Sequence, residues 1–377
     1  MSSRRGLTLI ELMVALFILS LVIGATFAVY ISNLKIYKSE AKTAETQMSK
    51  VLALELLRRD IVHAGAGLPW DLDVDDDGTN DLDYGEAVEA DADDYNDTTD
   101  PDPDGNVDEP PRPFVLGDDV SLLGGDRADY LVIKGALAAD NGTTRKWGIL
   151  SHTGGGWQLQ NMGEGEDLGE DDWAIIISTV GRELHMSGGN WYWKGNAITG
   201  VGGLDSSVVY LVQGIRHEGD SGDKPRMPFN RVDYYLRRPN ALPDRCNPNT
   251  YILYRATIIH ETHTGTNKGE RAEEPILDCV KDFQVAFGID TDGDGDIDSW
   301  SSAPPNTPED VREQIKEVRV LILYQEGQRL EHEASTTSIT LGDSQTGILS
   351  TFAPTGEDRH YRWKVLKLAV RPLNLGT

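Results

Sequence analysis

The sequence predicts an α+β protein in which one long N-terminal α-helix packs on a mainly antiparallel β domain. No proline or glycine interrupts the chain between Gly24 and Gly65, as a long helix requires. From Pro113 onward, short runs rich in β-branched and aromatic residues, among them NWYWKGNAI, are separated by glycine, asparagine and acidic turns, a pattern typical of strands. A short helix is expected within residues 306–318. These runs do not alternate with helical segments, so we expect antiparallel pairing rather than a doubly wound parallel sheet.

The predicted helix begins with a run that is suited to a membrane. Residues 12–30 contain no charged side chain, and such a run is about long enough to cross a bilayer. Glu11 lies at its start, and a lone carboxylate at membrane depth costs roughly 2 kcal/mol or more, so it needs a partner. Cleavage after Gly6 would place a positive α-amino group on Leu7, one helical turn from Glu11, and a neighbouring subunit would offer the same charge.

Two simpler interpretations of this segment compete. A secretory signal peptide usually has a shorter apolar stretch followed by a small-x-small cleavage site, and no clean site of that kind follows here. A plain membrane anchor with Glu11 at the interface is the second alternative, and the apolar run alone does not exclude it.

The residues around the cut also carry a family resemblance. Arg5 and Gly6, followed by LTLIELMVALFILSLVIG, resemble the class III prepilin leader of type IV pilin-like proteins. The resemblance implies that a membrane peptidase cuts after Gly6 and methylates Leu7, a position where phenylalanine is commonest in the family. It also implies that Glu11 pairs with a neighbour's N-terminus during fibre assembly.

The second half of the helix carries an apolar stripe at three- and four-residue steps. The stripe consists of Ala41, Ala44, Met48, Leu52 and Leu56. We expect one helix from about residue 7 to about residue 63, with its first half in a membrane or fibre core and its second half packed on the domain. The alternative is two helices separated near residue 32. Gly65, Gly67 and Pro69 end the pattern.

The close of this helix resembles the PilW group of minor pilins, whose helices commonly end in a similar sequence. Residues 45–67 read ETQMSKVLALELLRRDIVHAGAG, a leucine-rich stretch followed by arginine, aspartate and an Ala-Gly pair. Later strands extend the resemblance, in the order DWAIIISTVGRELHM, VDYYLRRPN, YILYR, EVRVLILY and YRWKVLKLAVRPLN. The predicted division of the chain is a leader at 1–6, a membrane or fibre-core half of the helix at 7–30, an amphipathic half at 31–68, an acidic insertion at 69–112 and a β-rich domain at 113–377.

The acidic insertion is not something that the family pattern leads us to expect. Residues 71–109 hold 18 acidic side chains and no lysine or arginine, so this stretch cannot form its own core and repels itself unless cations bind it. Two loops within it, and a third far downstream, have the form D-x-D-x-D-G-x-x-D. Their aspartates are Asp73, Asp75, Asp77 and Asp81; Asp100, Asp102, Asp104 and Asp108; and Asp290, Asp292, Asp294 and Asp298, with Asp296 as a further carboxylate in the third loop.

This spacing favours calcium. Alternating carboxylates in a tight loop converge on one centre, and the glycine at the sixth position permits the sharp turn of a calcium loop. Hard oxygen ligands suit Ca²⁺ better than zinc or copper. The twelfth position, where a bidentate glutamate normally completes the loop, holds Tyr84, Pro111 and Ser301. We expect structural calcium with a ligand supplied from elsewhere, and solvated acidic loops are the alternative.

The charge and the cysteine content limit which partners and which cellular compartment suit this protein. The formal net charge is −27, and loss of Arg4 and Arg5 with the leader would make the chain more acidic still. Nucleic acid and anionic lipid surfaces are therefore poor partners. The two cysteines, Cys246 and Cys279, are expected to form one disulfide after export, worth about 3 kcal/mol or more in the chain-entropy model. Two buried thiols are the alternative.

Three patterns suggestive of enzymes or binding sites carry little weight. The sequence GDSG at residues 219–222 is similar to the nucleophile loop of serine proteases, but no histidine-centred motif of that family precedes it. His260 and His263 are three residues apart, whereas zinc hydrolase helices space their histidines four apart, so we expect an exposed strand end. Trp191, Tyr192 and Trp193 are interpreted as core and edge packing. No enzymatic activity is expected.

We therefore expect a minor pilin of a type IV pilus that is processed by prepilin peptidase and helps to initiate or cap assembly. The implied partners are major and minor pilins, the peptidase and the inner-membrane assembly platform. Before assembly the chain would cross the inner membrane once with its β domain in the periplasm, and afterwards it would lie in a surface fibre. The alternatives are a type II secretion pseudopilin of the J or K kind, a calcium-dependent adhesin on a pilin anchor, and a membrane-tethered hydrolase.

Overall fold

A single long helix forms the N-terminal part of the protein. The computed structural model describes residues 9–72, 82, 84–97, 110–139, 141–217, 224–260, 269–334, 337–343 and 348–375. The first element, α1, runs Leu9–Val62 and has 54 residues, which gives a length of about 80 Å at about 1.5 Å per residue. The prediction of one uninterrupted helix is confirmed over these residues. Residues 7 and 8 lie outside the described part of the chain.

The last turns of α1 pack on the core of the globular domain, and they use a different face from the predicted one. Ala53, Leu57 and Ile61 are buried against the sheet, since residues four apart lie on one side of a helix. The predicted stripe lies mostly on the exposed side, with Ala41, Ala44, Met48 and Leu52 exposed and Leu56 half-buried. The prediction was wrong because apolar residues surround much of this part of α1, and periodicity does not say which side the domain covers.

Polar contacts fix the end of α1 on the domain. The buried Asp60 accepts hydrogen bonds from Arg255 Nε at 2.7 Å and from Tyr234 Oη at 2.6 Å. The helix then stops at Gly65, whose φ of 74° suits glycine and whose N–H donates to the Lys134 carbonyl at 2.9 Å. These bonds join the helix to the sheet beneath it.

The described part of the domain contains fifteen strands and one further α-helix. In chain order the strands are β1 Phe114–Ser121, β2 Arg127–Gly135, β3 Trp147–Thr153, β4 Gly156–Gln160, β5 Asp172–Ser178, β6 Trp193–Lys194, β7 Tyr210–His217, β8 Asn230–Arg237, β9 Tyr251–Ile258, β10 Arg271–Ile289, β11 Ser299–Ser301, β12 Ile315–Glu326, β13 Ile339–Asp343, β14 Ile348–Phe352 and β15 Arg362–Val370. The short helix α2 spans Pro308–Gln314.

These strands form two main sheets and a separate hairpin. The large sheet has the order β1-β2-β8-β9-β10-β12-β15, with β11 beside β10. The small sheet has the order β4-β3-β7-β5-β6, and β13 pairs with β14. Every described pairing of these strands is antiparallel. The predicted α+β class with a mainly antiparallel domain is therefore confirmed. The main core lies between α1 and the large sheet.

Local predictions succeeded unevenly. The expected short helix near residues 306–318 is α2, which is capped by Thr307, whose Oγ1 accepts the Asp310 N–H at 3.1 Å. The expected strand NWYWKGNAI was largely wrong, because only the two-residue β6 pairs with β5 and a 3₁₀-helix follows at Gly195–Gly200. At the edge of a sheet, aromatic residues can pack from a loop as well as from a strand.

Part of the acidic insertion belongs to the core of the domain. Leu82, Tyr84, Ala87 and Ala92 are buried in a second apolar cluster that lies mainly between this segment and the small sheet. Glu86 is also buried, and its partners are cationic side chains of the large sheet. The domain therefore supplies the apolar partners and part of the positive charge that this stretch lacks.

Candidate functional site

The first half of α1 presents an apolar surface to its surroundings. Leu9–Leu34 has a mean hydropathy of 2.7 over its most apolar window, and none of that window is buried. The hydroxyls of Ser20 and Thr26 donate to helix carbonyls three and four residues earlier, so they leave this surface apolar. A bilayer or neighbouring helices must cover a surface of this size.

Glu11 is the one acidic residue in this span. It is exposed on the side of α1 and lies in the first described turn of the helix, where the helix dipole favours negative charge. The predicted cleavage and methylation site, Gly6 and Leu7, lies outside the described residues.

The downstream aspartate loop brings three carboxylates together. Ligand oxygens of Asp290, Asp292 and Asp294 all lie within 4.8 Å of one another. Asp290 is buried, and it accepts the N–H of Gly293 at 2.7 Å and that of Gly295 at 2.9 Å. The two upstream loops, with Asp73, Asp75, Asp77, Asp81, Asp100, Asp102, Asp104 and Asp108, lie outside the described residues.

The rest of this loop does not join the group. Asp298 accepts hydrogen bonds from the N–H and the hydroxyl of Thr291 at 2.8 and 2.7 Å. These two bonds close the loop. Asp296 is also outside the group of three. Lys316 Nζ lies 3.4 Å from Asp290 Oδ2. Desolvation raises the pKa of Asp290, but the two glycine N–H groups and Lys316 outweigh it and hold that pKa below its usual value.

The three carboxylates and the glycine turn fit the oxygen preference of Ca²⁺. Lys316 is a competing cation on one side of Asp290, so a calcium ion would rely most on Asp292 and Asp294, both exposed. Aspartates at neighbouring positions also affect each other. The pKa of Asp292 is raised, because the charges of Asp294 and Asp298 outweigh the hydrogen bond from the Asp294 N–H that lowers it.

A second acidic cluster, which the sequence reasoning missed, lies at a bulge in β1. It consists of Asp118, Asp119 and Asp129. The Asp129 carboxylate is buried and accepts the N–H of Val285 at 2.6 Å and that of Asp119 at 3.1 Å. Burial raises the pKa of Asp129 to about 8, although these two hydrogen bonds oppose the shift. The adjacent aspartates within a strand pattern were the available signal.

The two cysteines are joined. Cys246 and Cys279 form a disulfide between residues 33 positions apart. It links the loop before β9 to β10, at a bulge where Cys279 has a φ of 58°. Beside it, Arg245 and Asp278 form an ion pair at 2.8 Å. The bridge therefore ties the loop that leads into β9 to the middle of the neighbouring strand β10.

The histidine of the HETH sequence is not exposed, contrary to expectation. His260 is buried, with Nδ1 accepting the Arg226 N–H at 3.0 Å and Nε2 lying 2.8 Å from Asn230 Oδ1. Burial lowers its pKa to about 3, and the charges of Arg216 and Arg226 add to this. The expectation failed because the chain after β9 stays against the core. His263 and residues 219–222 lie outside the described residues.

The aromatic triplet packs as predicted. Trp191 is buried, and Tyr192 and Trp193 are half-buried against the two clusters of the small sheet. Tyr192 stacks edge-on to Trp173, with ring centres 5.2 Å apart. These rings serve the core and edge of the small sheet.

A groove crosses the domain where α1 ends, and we call it the α1 groove. It comprises two adjoining cavities of about 540 and 410 Å³ that share Gly67, Trp147, Leu211 and Asn374. A Cβ at Gly67 would lie 2.9 Å from the Ala136 Cβ, so glycine allows the chain to pass close to the large sheet here. No local pattern in the sequence predicts this groove, because its lining comes from distant segments.

Comparison with known families relates two parts of the chain, including the exposed start of α1, to proteins of type IV pili. Residues 1–27 match the family model of the prokaryotic N-terminal methylation motif, and residues 234–374 match that of the type IV pilus-assembly protein W. The two matches support a type IV pilin of the PilW type. No curated protein and no solved structure matches it.

The two matches correspond to distinct parts of the chain. The first covers the leader and the exposed start of α1, and the second runs from β8 to the end of the large sheet. Together they indicate a minor pilin of a type IV pilus, a structural component that interacts with other pilins and with the assembly machinery. The apolar half of α1 suits membrane anchoring before the pilin enters a surface pilus.

Proposed function

We propose that this minor pilin is cut after Gly6 by prepilin peptidase, methylated at Leu7, and drawn into a type IV pilus through α1, where it helps to initiate or cap the fibre. The observation that carries the proposal is the apolar surface of Leu9–Leu34, none of whose most apolar window is buried by the protein itself. In the precursor a bilayer covers that surface. In the fibre the helices of neighbouring pilins replace the lipid.

Glu11 directs this exchange. In an apolar surrounding a carboxylate is costly unless a cation accompanies it. A positive N-terminus on a neighbouring pilin supplies that charge, and it is positioned to do so only when the two helices are in register. The attraction is therefore strongest in the assembled arrangement, which favours correct docking over random association in the membrane.

The part of the chain that follows α1 is large, and we call it the head. Its bulk supports a terminal position in the fibre. The head contains fifteen strands among its described residues, together with an acidic insertion of unusual composition. Such bulk is tolerated where no further subunit has to stack above it. The Cys246–Cys279 disulfide supports a head on the oxidising, periplasmic side of the inner membrane.

Fibre incorporation of Glu11→Ala tests the proposal. The matched control is Glu40→Ala, which removes an exposed carboxylate from the same helix beyond the apolar span. Both variants should be cleaved normally, since the leader is unchanged. Glu11→Ala should be depleted from sheared fibres and Glu40→Ala should not. Normal incorporation of Glu11→Ala would reject the charge-pairing step, and absence of the unmodified protein from fibres would reject the proposed function.

We also propose that Ca²⁺ binds the Asp290 loop and stabilises the head. Support comes from the three grouped carboxylates and the two glycine N–H bonds that hold Asp290 in place. A ligand that binds only the folded state at about 100 times its Kd stabilises it by about 2.7 kcal/mol. The melting temperature should rise by several degrees when calcium replaces chelator.

A pair of variants of this loop separates calcium binding from general charge effects. Asp292→Asn with Asp294→Asn should abolish the part of the calcium effect that this loop contributes, since both side chains belong to the carboxylate group. Asp296→Asn removes a charge from the same loop but outside that group, and should retain it. An identical calcium response in all three proteins would contradict the site.

A further inference from the structure

We propose that the α1 groove binds an acidic, partly apolar peptide segment of another fibre subunit, with a carboxylate at Arg182 and apolar side chains on Trp147 and Leu211. The identification of the partner as a fibre subunit rests on the proposed function. The chemistry of the bound segment does not, because it follows from the lining of the groove.

The apolar floor of the groove is an uncovered part of a sheet face. Ile149 of β3 and Ile177 of β5 both pair with Leu211 of β7, so the three side chains share one face of the small sheet. Ile177 is 2 % exposed, because it packs in the second apolar cluster. Ile149, Leu211 and the neighbouring Trp147 are only half-buried. The core therefore covers this face at β5 and leaves it open towards β3.

Apolar residues in the lining of this opening, or next to lining residues in the chain, are exposed. Val209, which lines the groove, is 42 % exposed. Val180 and Leu373 directly follow and precede lining residues in the chain, and they are 69 % and 68 % exposed. A concave apolar surface with exposed apolar residues at its rim is typical of an interaction site.

Arg182 lines one end of the groove, and it shares the ring of Trp70 with Arg312. The guanidinium carbons of Arg182 and Arg312 lie 4.3 and 5.1 Å from the ring centre of Trp70. Across the described part of the chain, neither arginine forms a salt bridge, and the Nη1 atom of Arg312 is buried without a hydrogen-bond partner. Arg312 is only 9 % exposed.

This arrangement is costly without a ligand. A guanidinium nitrogen that is buried without a hydrogen-bond partner is unfavourable, and here two like charges share one indole. Burial lowers the pKa of Arg312, and the charges of Glu309, Glu313 and Asp71 do not offset this effect. The chain has 62 acidic residues against 35 lysines and arginines, so carboxylates that could pair with these two arginines are plentiful in the protein itself. Arg182 lines the groove, and a carboxylate placed there could accept two hydrogen bonds from its planar guanidinium group.

The other end of the groove has a similar charge. Its lining includes Arg59 and Arg145, against a single acidic residue, Glu166. Arg59 is already paired with Asp60 at 3.1 Å. In a protein with a net charge of −27, a groove lined mainly by cationic and apolar groups complements an acidic peptide.

Site-specific photocrosslinking in fibre-forming cells tests the inference on the full-length protein. A benzophenone amino acid replaces Val209, and the crosslinked peptide is sequenced by mass spectrometry. We expect a segment of another fibre subunit that contains apolar residues and an aspartate or glutamate. Arg182→Glu should lower the crosslink yield about tenfold, as expected for loss of a charge-assisted contact. Arg362→Glu, an identical change at an exposed position on β15, should leave the yield unchanged.

A charge exchange provides the decisive comparison. Changing the partner's crosslinked carboxylate to lysine should restore the yield with Arg182→Glu. A lipid adduct, a peptide without a carboxylate, no adduct, or equal yields in both variants would overturn the inference. If Arg182→Glu melts below the unmodified protein, Arg182→Gln, which retains the stem of the side chain, replaces it under the same criteria. An acidic peptide captured in the envelope while the protein is absent from fibres would reject the pilus function alone.

Discussion

Lys134 Nζ lies 2.8 Å from Glu86 Oε1, and both side chains are fully buried. Asp97 Oδ2 approaches the same nitrogen at 2.6 Å, and Arg231 Nη1 lies 2.9 Å from the second oxygen of Glu86. Arg231 in turn pairs with Asp233 at 2.8 Å. The acidic insertion is thus held on β2 and β8 by cations of the large sheet, and this network makes it part of the folded head.

Glu86→Gln should therefore destabilise the head strongly. The amide keeps the shape of the side chain but leaves the buried Lys134 and Arg231 short of one negative charge. Loss of one partner of a buried ion pair costs about 3–5 kcal/mol, which chemical denaturation of the purified protein would measure. Asp94→Asn is the control, because Asp94 is an exposed residue of the same segment and its loss should cost less than about 0.5 kcal/mol. Equal stabilities would show that the network contributes little.

The packed face of α1 leads to a second prediction. Leu57→Ala removes a fully buried side chain and should cost about 2–5 kcal/mol. Leu52→Ala, the same change five residues earlier, removes a side chain that is 58 % exposed and should cost less than about 0.5 kcal/mol. Thermal unfolding of the two variants compares them directly. The reverse order would place the domain on the stripe that the sequence suggested.

These two cases show where sequence reasoning succeeded and where it failed. The continuity of α1 and the antiparallel strands follow from local patterns, which act over a few residues. The partners of Glu86 lie 48 and 145 positions away in the chain, and no local pattern predicts such pairs. The choice of face on α1 likewise depends on the shape of a sheet built from residues far downstream.

A third prediction concerns pH. Burial raises the pKa of Asp129 to about 8, whereas an aspartate in an unfolded chain titrates near about 3.9. The folded protein therefore binds the extra proton between these values, and the stability that Asp129 contributes falls as pH rises towards 8. Asp129→Asn should show a smaller loss of melting temperature between about pH 6.5 and pH 8 than the unmodified protein.

The choice of this pH window separates Asp129 from His260. Burial lowers the pKa of His260 to about 3, so its effect appears as pH falls below about 6.5, where the unfolded chain takes up a proton that the folded protein excludes. Above about pH 7.5 His260 is neutral in both states, and its remaining effect at lower pH is the same in both proteins, because both contain it. Parallel melting curves for Asp129→Asn and the unmodified protein from pH 6.5 to 8 would contradict the assignment to Asp129.

The candidate sites were predicted to different extents. The resemblance at Gly6, Leu7 and Glu11 rests on contiguous residues, so the sequence was sufficient to propose it. The Asp290 loop was proposed from spacing alone, but the roles of Lys316 and of the Asp298–Thr291 bond depend on how the loop closes. The α1 groove joins the end of a helix, a sheet face and a C-terminal residue, and its existence depends on the assembled fold.

Mass spectrometry of the N-terminal peptide in sheared surface fibres tests directly whether this chain is processed as a pilin. We expect a peptide that begins at Leu7 with a methylated α-amino group. That result would establish leader cleavage and incorporation in one measurement. A fibre-associated or envelope peptide that still begins at Met1 would contradict processing of this chain as a pilin.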